Sequence, residues 1–147
     1  MLKILFLCTG NSCRSQMAEG WTRRLKSDRI EVYSAGVESH GLNPQAVQVM
    51  AEVGIDISGH SSKLVSDLPD IVFDYVVTVC DNARENCPLS PAATKSVHIG
   101  FDDPPYLARD AASEEEVLFH YRRVRDEIKV YVETLPESLY PLGGKEN

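Results

Sequence analysis

An apolar run at the start of the chain constrains the fold most. Leu2 to Leu7 reads LKILFL and is apolar except for Lys3. A short apolar run without alternation is typical of a β-strand buried on both faces, as in a parallel sheet covered by helices. A polar turn with a glycine follows, and a helix is then predicted over residues 15 to 26 because apolar side chains recur at helical spacing. The chain therefore begins with a strand, a tight loop and a helix.

Strand and helix signals alternate along the rest of the chain. Asn43 and Pro44 form a helix start with an N-cap and a first-position proline. Ser113 is an N-cap with Glu116 at capping-box spacing, and Pro136 ends the helix that follows. The other predicted elements are strands at 30–33, 74–79 and 96–99 and helices at 44–53 and 114–135. This alternation predicts an α/β domain with a parallel sheet.

Length and composition restrict the class of protein. The 147 residues suit one domain, placed at residues 1 to 137 with a C-terminal tail at 138 to 147. The formal net charge of −7 argues against nucleic acid or an anionic membrane as a partner. No apolar run reaches the ~18 residues of a membrane span. The sequence therefore predicts a cytoplasmic protein, expected to be a monomer. In that reducing compartment the four cysteines are predicted to be reactive or metal-binding rather than permanently cross-linked.

The segment between the first strand and the first helix carries the strongest chemical signal. It reads CTGNSCRS, so that five residues separate a cysteine from an arginine at a strand-to-helix loop. A short loop with a glycine lets several backbone N–H groups converge on one point, where the helix N-terminus adds positive potential. These features predict a binding site for a tetrahedral oxyanion. Its predicted residues are Thr9, Gly10, Asn11, Ser12, Cys13, Arg14 and Ser15.

Cys8 is the predicted nucleophile of this loop. The positive field that binds an oxyanion also stabilises a thiolate, and Ser15 is placed to donate a hydrogen bond to that thiolate. The planar Arg14 guanidinium matches two oxygens of the anion. Cys13 lies inside the loop, and we interpret it as a position that packs and presents its backbone amide.

The loop and its surroundings resemble those of a known family of enzymes. CTGNSCRS followed by QMAEGW is similar to the low-molecular-weight tyrosine phosphatases and, more narrowly, to the thioredoxin-coupled arsenate reductases of the same fold. The resemblance covers about residues 3 to 130. The other matching segments are YSAG at 33–36, Gly-x-Asn-Pro at 41–44, VTVC at 77–80, NCP at 86–88, GFDDP at 100–104 and RVRDEIK at 123–129. It implies a four-stranded parallel sheet flanked by helices, arsenate as the substrate, thioredoxin as the reductant and no cofactor.

A second pair of cysteines distinguishes the two activities of this fold. Phosphate and arsenate share charge and shape, so the same loop serves a phosphatase and a reductase. A reductase must also supply two electrons, and Cys80 and Cys87 are the thiols that meet this need. If residues 80 to 87 were helical, the two Cα atoms would lie about 10.5 Å apart, whereas a disulfide needs roughly 4.4 to 6.8 Å. We therefore predict a segment that unwinds on oxidation.

The resemblance implies the roles of the remaining catalytic groups. Cys8 attacks arsenate, Cys80 attacks Cys8 and releases arsenite, and Cys87 attacks Cys80 to leave a disulfide that thioredoxin reduces. It assigns the general acid to Asp103, the second carboxylate of the Asp102–Asp103 pair that precedes a proline. That pair follows the fourth strand and so belongs to the same edge of the sheet as the loop.

Some members of the reductase family bind potassium beside the oxyanion loop. Asn11 and Ser34 match ligand-type positions of that site, and Glu19 is a further candidate, but a position that is acidic in those members is Lys63 here. We predict that no metal is bound and that the Lys63 ammonium replaces the ion by reaching Asn11 or Ser34. The histidines at 40, 60, 98 and 120 lack metal-type spacing and are predicted to be surface or packing positions.

Two alternative functions are considered beside arsenate reduction. A phosphotyrosine phosphatase would use the same loop but needs aromatic walls, and the segments beside the loop offer only His40 and Tyr106. The shared loop still predicts a weak phosphatase side activity. A non-catalytic four-cysteine zinc module is disfavoured because the cysteine spacings are not the short pairs usual for zinc.

Overall fold

A parallel four-stranded sheet forms the centre of the protein in the computed structural model, which describes residues 1–80 and 95–140. The strand order is β2-β1-β3-β4. The strands are β1 (Leu2–Cys8), β2 (Ile30–Gly36), β3 (Tyr75–Thr78) and β4 (Lys95–His98). The helices are α1 (Arg14–Leu25), α2 (Pro44–Glu52), the one-turn α3 (Pro104–Leu107) and the long α4 (Glu114–Glu133). The predicted α/β fold with a four-stranded parallel sheet flanked by helices is confirmed.

The apolar run at the start of the chain is the core strand of the sheet. β1 pairs with β2 on one side and with β3 on the other. Its residues Ile4 to Leu7 are fully buried. Burial of each such side chain stabilises the fold by roughly 1.5 to 3 kcal/mol, which explains why this run contains no polar residue after Lys3.

Local sequence signals predicted the first residues of α1, α2 and α4 to within one residue, whereas the one-turn α3 was not predicted. The Asn43 side chain accepts hydrogen bonds from the first backbone N–H groups of α2. Ser113 Oγ accepts the backbone N–H of Glu116 at 3.2 Å, as the capping box predicts. The Glu116 carboxylate in turn accepts the backbone N–H of Ala112 at 2.9 Å. Within the described residues, no helix combines the length and apolar character needed to cross a membrane.

The packed part of the chain extends beyond the predicted domain boundary at residue 137. Glu137–Leu139 form a 3₁₀ turn, Leu139 is buried and Tyr140 packs against the core. The Glu137 carboxylate forms an ion pair with Arg29. Leu139 and Tyr140 therefore pack against the domain at the end of α4. The rest of the predicted tail lies outside the described residues.

The parallel arrangement brings four loops to one edge of the sheet. β1 ends at Cys8, which pairs with Gly36 at the end of β2. Cys80 follows β3, and the loop that leads to Asp103 follows β4. Ligands of open α/β sheets bind at the carboxyl ends of the strands. The predicted site residues of the described part of the chain thus lie on the expected edge.

Candidate active site

The loop from Cys8 to Arg14 encloses a cavity of about 290 Å³. His40 reaches this cavity from the segment after β2, and Asp103 and Pro105 reach it from the start of α3. The cavity is therefore built by three segments that are far apart in the sequence. Its size and the Arg14 side chain on its wall suit a small anion better than an extended organic ligand.

Backbone hydrogen bonds fix the direction in which the loop amides point. Backbone N–H groups from the 37–43 segment bind four loop carbonyls at 2.8 to 3.2 Å; these carbonyls belong to Cys8, Thr9, Gly10 and Ser12. A trans peptide directs its C=O and the following N–H to opposite sides. With the carbonyls bound on the outside, the N–H groups of the same peptides point to the inside of the loop. This arrangement has the form of the predicted oxyanion cradle.

Asn11 stabilises the conformation of the loop from the side away from the cavity. Its φ of 49° is in the left-handed region that asparagine tolerates better than most residues. The fully buried side chain donates to Ser15 Oγ at 2.9 Å and to Ser34 Oγ at 3.0 Å. Its Oδ1 accepts a hydrogen bond from Gln16 Nε2 at 3.1 Å and another from the backbone N–H of Lys63 at 2.9 Å. Asn11 thus supports the loop, while its side chain is not part of the cavity wall.

Cys8 is buried at the base of the cavity and is 3% exposed. Ser15 Oγ donates a hydrogen bond to its Sγ at 3.3 Å, as predicted from the sequence. The neighbouring Cys13 differs, because burial and the negative charge of the Cys8 sulfur raise the pKa of its thiol. Cys13 therefore stays protonated at neutral pH, which agrees with its interpretation as a packing position.

Arg14 is the first residue of α1 and links the oxyanion loop to the Asp103 loop. Its Nη1 donates to the Phe101 carbonyl at 2.9 Å, and its Nη2 lies 3.7 Å from Asp103 Oδ1. The Arg14 side chain is only 12% exposed. The guanidinium is thus held in one orientation at the edge of the cavity, where it is available to the oxygens of an anion.

The two adjacent carboxylates Asp102 and Asp103 face different neighbours. Asp102 Oδ2 accepts a hydrogen bond from Arg123 of α4 at 3.2 Å. Asp103 instead lines the cavity beside Arg14 and precedes the one-turn helix α3, without a side-chain hydrogen bond to the backbone N–H groups of that helix. Of these two carboxylates, Asp103 is therefore the one that lines the cavity.

The sulfur of Cys80 lies against the oxyanion loop. Cys80 is buried two residues after β3, and its Sγ is 3.1 Å from Oγ1 of Thr9, the residue that follows the nucleophile. This contact joins residues 71 positions apart. Cys87 and the predicted 80–87 helix beyond Cys80 lie outside the described residues.

Lys63 does not occupy the place that the sequence analysis predicted. Its ammonium donates to the Ser61 carbonyl at 3.0 Å and is exposed, whereas only its backbone N–H reaches Asn11. Ser34 Oγ donates to Glu19 Oε1 at 2.5 Å, and Glu19 Oε2 accepts a hydrogen bond from Arg23. The polar groups behind the loop thus satisfy one another, which removes the reason for the ammonium to enter.

Sequence reasoning missed one buried residue of the site and two of its contacts. Gln16 is fully buried and donates to Asn11 and to the Ser61 carbonyl, although helical periodicity gives no reason to expect a polar residue there. The Thr9 hydroxyl contacts Cys80, which spacing cannot predict. His40 is a surface position, as expected, but it also lines the cavity. Its place directly after the second strand was the available signal, because that strand ends on the same edge as β1.

A substitution at Gly36 tests whether the site depends on the close approach of the end of β2 to the oxyanion loop. An added Cβ would lie 2.3 Å from the Glu38 carbonyl oxygen and 2.8 Å from the Asn11 nitrogen. A Gly36→Ala variant is expected to lose about 1 to 3 kcal/mol of unfolding free energy and at least about tenfold in phosphate affinity, because the loop is displaced. Urea unfolding and calorimetric titration with phosphate measure the two effects.

Gly59→Ala is the matched control for this variant. No atom lies within 4 Å of an added Cβ at Gly59, so both quantities should stay close to those of the wild-type protein. Wild-type phosphate affinity in Gly36→Ala would show that the cradle does not depend on this close approach.

Comparisons with known proteins agree with this geometry. The chain matches the family model described as low molecular weight phosphotyrosine protein phosphatase over residues 3–141. It is 55% identical to an arsenate reductase of Bacillus subtilis (strain 168) over 126 residues, which are 85% of this chain and 88% of that protein. It is 53% identical to an arsenate reductase of Shouchella clausii (strain KSM-K16) over 136 residues, 92% of this chain and 95% of that protein.

Solved structures similar to this chain include both arsenate reductases and a protein tyrosine phosphatase. An arsenate reductase in the phosphate binding state superposes with a TM-score of 0.73 at 33% identity, covering 95% of this chain and all of that chain. A low molecular weight protein tyrosine phosphatase from T. tengcongensis superposes with a TM-score of 0.71 at 26% identity, covering 94% and 99%. The fold is thus common to both groups, while the higher identities are to the reductases.

Proposed function

Because the chain belongs to the low molecular weight phosphotyrosine protein phosphatase family, we propose that it uses the oxyanion loop of that family to reduce arsenate to arsenite. The observation that carries the proposal is a thiol from outside the loop, Cys80, whose Sγ lies 3.1 Å from Thr9 Oγ1. A phosphatase needs one nucleophilic sulfur, whereas a reductase needs a further thiol that can attack it. The relatives named arsenate reductase, at 53 to 55% identity, support the same activity.

In the first step the Cys8 thiolate attacks the arsenic atom. The loop N–H groups and Arg14 hold the arsenate oxygens, and a sulfur–arsenic bond forms. One oxygen leaves as water after it receives a proton from Asp103, which lines the cavity beside Arg14. Ser15 stabilises the thiolate before the attack through its hydrogen bond to Cys8.

In the second step arsenic is reduced. The thiolate of Cys80 attacks the Cys8 sulfur, a Cys8–Cys80 disulfide forms and the sulfur–arsenic bond breaks. Its electron pair stays on arsenic, which leaves as arsenite in the +3 state. The contact of Cys80 Sγ with Thr9 Oγ1, in the residue next to Cys8, supports this step.

In the third step Cys87 attacks the Cys80 sulfur. Cys8 is released as a thiolate, and a Cys80–Cys87 disulfide remains. We propose thioredoxin as the dithiol that reduces this disulfide, in a monomeric cytoplasmic enzyme. The two electrons that reduce arsenic therefore come finally from thioredoxin, and the protein needs no bound cofactor.

A slow hydrolysis of aryl phosphates is a second activity of the same site. Phosphate esters fit the loop that binds arsenate, and the phosphatase members of the family share this fold. Among the described residues near the loop, His40 and the 60% exposed Tyr106 offer little enclosure for a phenyl ring. Such esters are therefore expected to bind weakly.

The test is a coupled assay with the full chain, thioredoxin, thioredoxin reductase and NADPH. Arsenate should cause NADPH oxidation with one arsenite formed per NADPH consumed, and acid-trapped protein should show a Cys80–Cys87 disulfide by mass mapping. Phosphate in place of arsenate is the control, because it binds but cannot be reduced. The absence of arsenate-dependent NADPH oxidation, together with efficient aryl phosphate hydrolysis, would replace this proposal with a phosphatase.

A further inference from the structure

His40 is an ionisable side chain on the cavity wall for which the proposed mechanism has no role. Its ring packs against Gly10 of the oxyanion loop: a Cβ added to Gly10 would lie 2.3 Å from Nδ1 and 2.6 Å from Cγ of the imidazole. The ring therefore occupies the place that any larger residue at position 10 would take. This close packing explains why the loop has a glycine at that point.

A backbone hydrogen bond joins His40 to the oxyanion loop. Its N–H donates to the Gly10 carbonyl at 3.0 Å, and the same carbonyl accepts Ser62 Oγ at 2.8 Å. The main chain of His40 is thus hydrogen-bonded directly to the oxyanion loop. Arg14 and Asp103 reach the cavity from α1 and α3, and His40 reaches it from the segment after β2.

Glu38 determines which ring nitrogen is available to a ligand. His40 Nε2 lies 2.6 Å from Glu38 Oε1, and an ionised carboxylate only accepts hydrogen bonds, so Nε2 carries a hydrogen. Nδ1 then has a lone pair in the neutral ring and an N–H in the imidazolium. Among the described residues, Nδ1 makes no hydrogen bond, and its edge of the ring is the one next to the loop.

We propose that His40, oriented by Glu38, is a further residue of the oxyanion site and binds the anion through Nδ1. The imidazolium donates a charge-assisted hydrogen bond to an anion oxygen, while Glu38 balances its positive charge from the opposite side. Anion binding and proton uptake by His40 therefore favour each other. The proposal rests on the oxyanion site of the proposed function, but not on the reduction of arsenate.

The charges around the cavity determine when this contact is strongest. The acidic groups around the ring are Asp103 and Glu38, with the Cys8 sulfur at the base of the cavity, and Arg14 is the basic one. Cys13 stays a neutral thiol and contributes no charge. The contribution of His40 to anion affinity should therefore be largest at the acidic end of the working range, and it should decrease as the ring loses its proton.

The test uses inorganic phosphate as the probe and calorimetric titration as the measurement. His40→Gln keeps a polar side chain without a charge, and we expect it to lower phosphate affinity about tenfold at pH 6 and about twofold at pH 8. Glu38→Gln should give an intermediate loss at pH 6. His120→Gln, a histidine substitution on α4 away from the cavity, is the control and should bind phosphate like the wild-type protein at both pH values.

A second measurement, NMR spectroscopy of the His40 ring, uses the wild-type protein and therefore does not depend on whether a variant folds. In the wild-type protein, the ring ¹⁵N signals of His40 should shift when phosphate is added, which a ring that only fills space beside Gly10 would not show. Unchanged signals, or equal phosphate affinity of His40→Gln and wild type at both pH values, would overturn the proposal. Failure of arsenate reduction with a phosphate-dependent His40 shift would count against the proposed function alone.

Discussion

A Cys8→Ser variant is expected to lose arsenate reduction by roughly 10⁴-fold or more. The wild-type sulfur is buried at the base of the cavity, where Ser15 Oγ donates to it at 3.3 Å. A serine hydroxyl in the same place is not ionised at neutral pH, and it cannot form the disulfide on which the release of arsenite depends. The coupled assay with arsenate and thioredoxin measures the loss.

The same variant should keep its oxyanion site, which provides the internal control. The backbone bonds that orient the loop amides and the contacts of Arg14 do not involve the Cys8 sulfur. Removal of the negative sulfur also removes a repulsion, so phosphate affinity should be equal to that of the wild type or higher. Arsenate turnover above about 1% of the wild-type rate would mean that another sulfur makes the first attack.

A Cys87→Ser variant is expected to form one arsenite per chain and then stop. The first two steps need only Cys8 and Cys80, and the described residues already place the Cys80 sulfur against the loop at Thr9. Without the third thiol, the protein stays as a Cys8–Cys80 disulfide. Rapid quench measurement of arsenite and mass mapping of the disulfide identify this product, and steady turnover should fall by about 100-fold or more.

Cys80→Ser is the companion variant that separates the second step from the third. It should release no arsenite in the absence of an added thiol, because nothing attacks the Cys8 sulfur of the arsenic adduct. Both variants should hydrolyse an aryl phosphate at a rate close to the wild-type rate, since this reaction needs only Cys8, Arg14 and Asp103. Undiminished arsenate turnover in Cys87→Ser would exclude the three-cysteine relay.

The three cysteines were predicted on different grounds. Cys8 followed from the strand, loop and helix signals around it, which act over about ten residues. Cys80 and Cys87 stood out only because a reductase needs further thiols and because VTVC and NCP resemble the reductase family. The resemblance also selected Asp103 over Asp102, which the contact of Asp102 with Arg123 supports. The prediction that the Lys63 ammonium replaces a potassium ion beside Asn11 or Ser34 was wrong, since this ammonium donates a hydrogen bond to the Ser61 carbonyl.

The sequence by itself determined the features of this protein that depend on interactions between residues close together in the chain. An apolar run must be buried on both faces, Asn43 and Ser113 bind the first N–H groups of a helix, and a short loop with a glycine joins the first strand to the helix that begins at Arg14. These outcomes depend on residues that are neighbours in the chain, and therefore sequence patterns predict them.

Tertiary structure alone decided how distant segments meet at the sheet edge. The contact of Thr9 with Cys80, the bond from Arg14 to Phe101 and the packing of His40 on Gly10 each depend on the order of parallel strands and on the exact course of the loops. Small changes in that course reverse which side chain faces the cavity, as they do for Asp102 and Asp103. No local pattern encodes such choices, because the competing arrangements satisfy the same local preferences and differ only in long-range contacts.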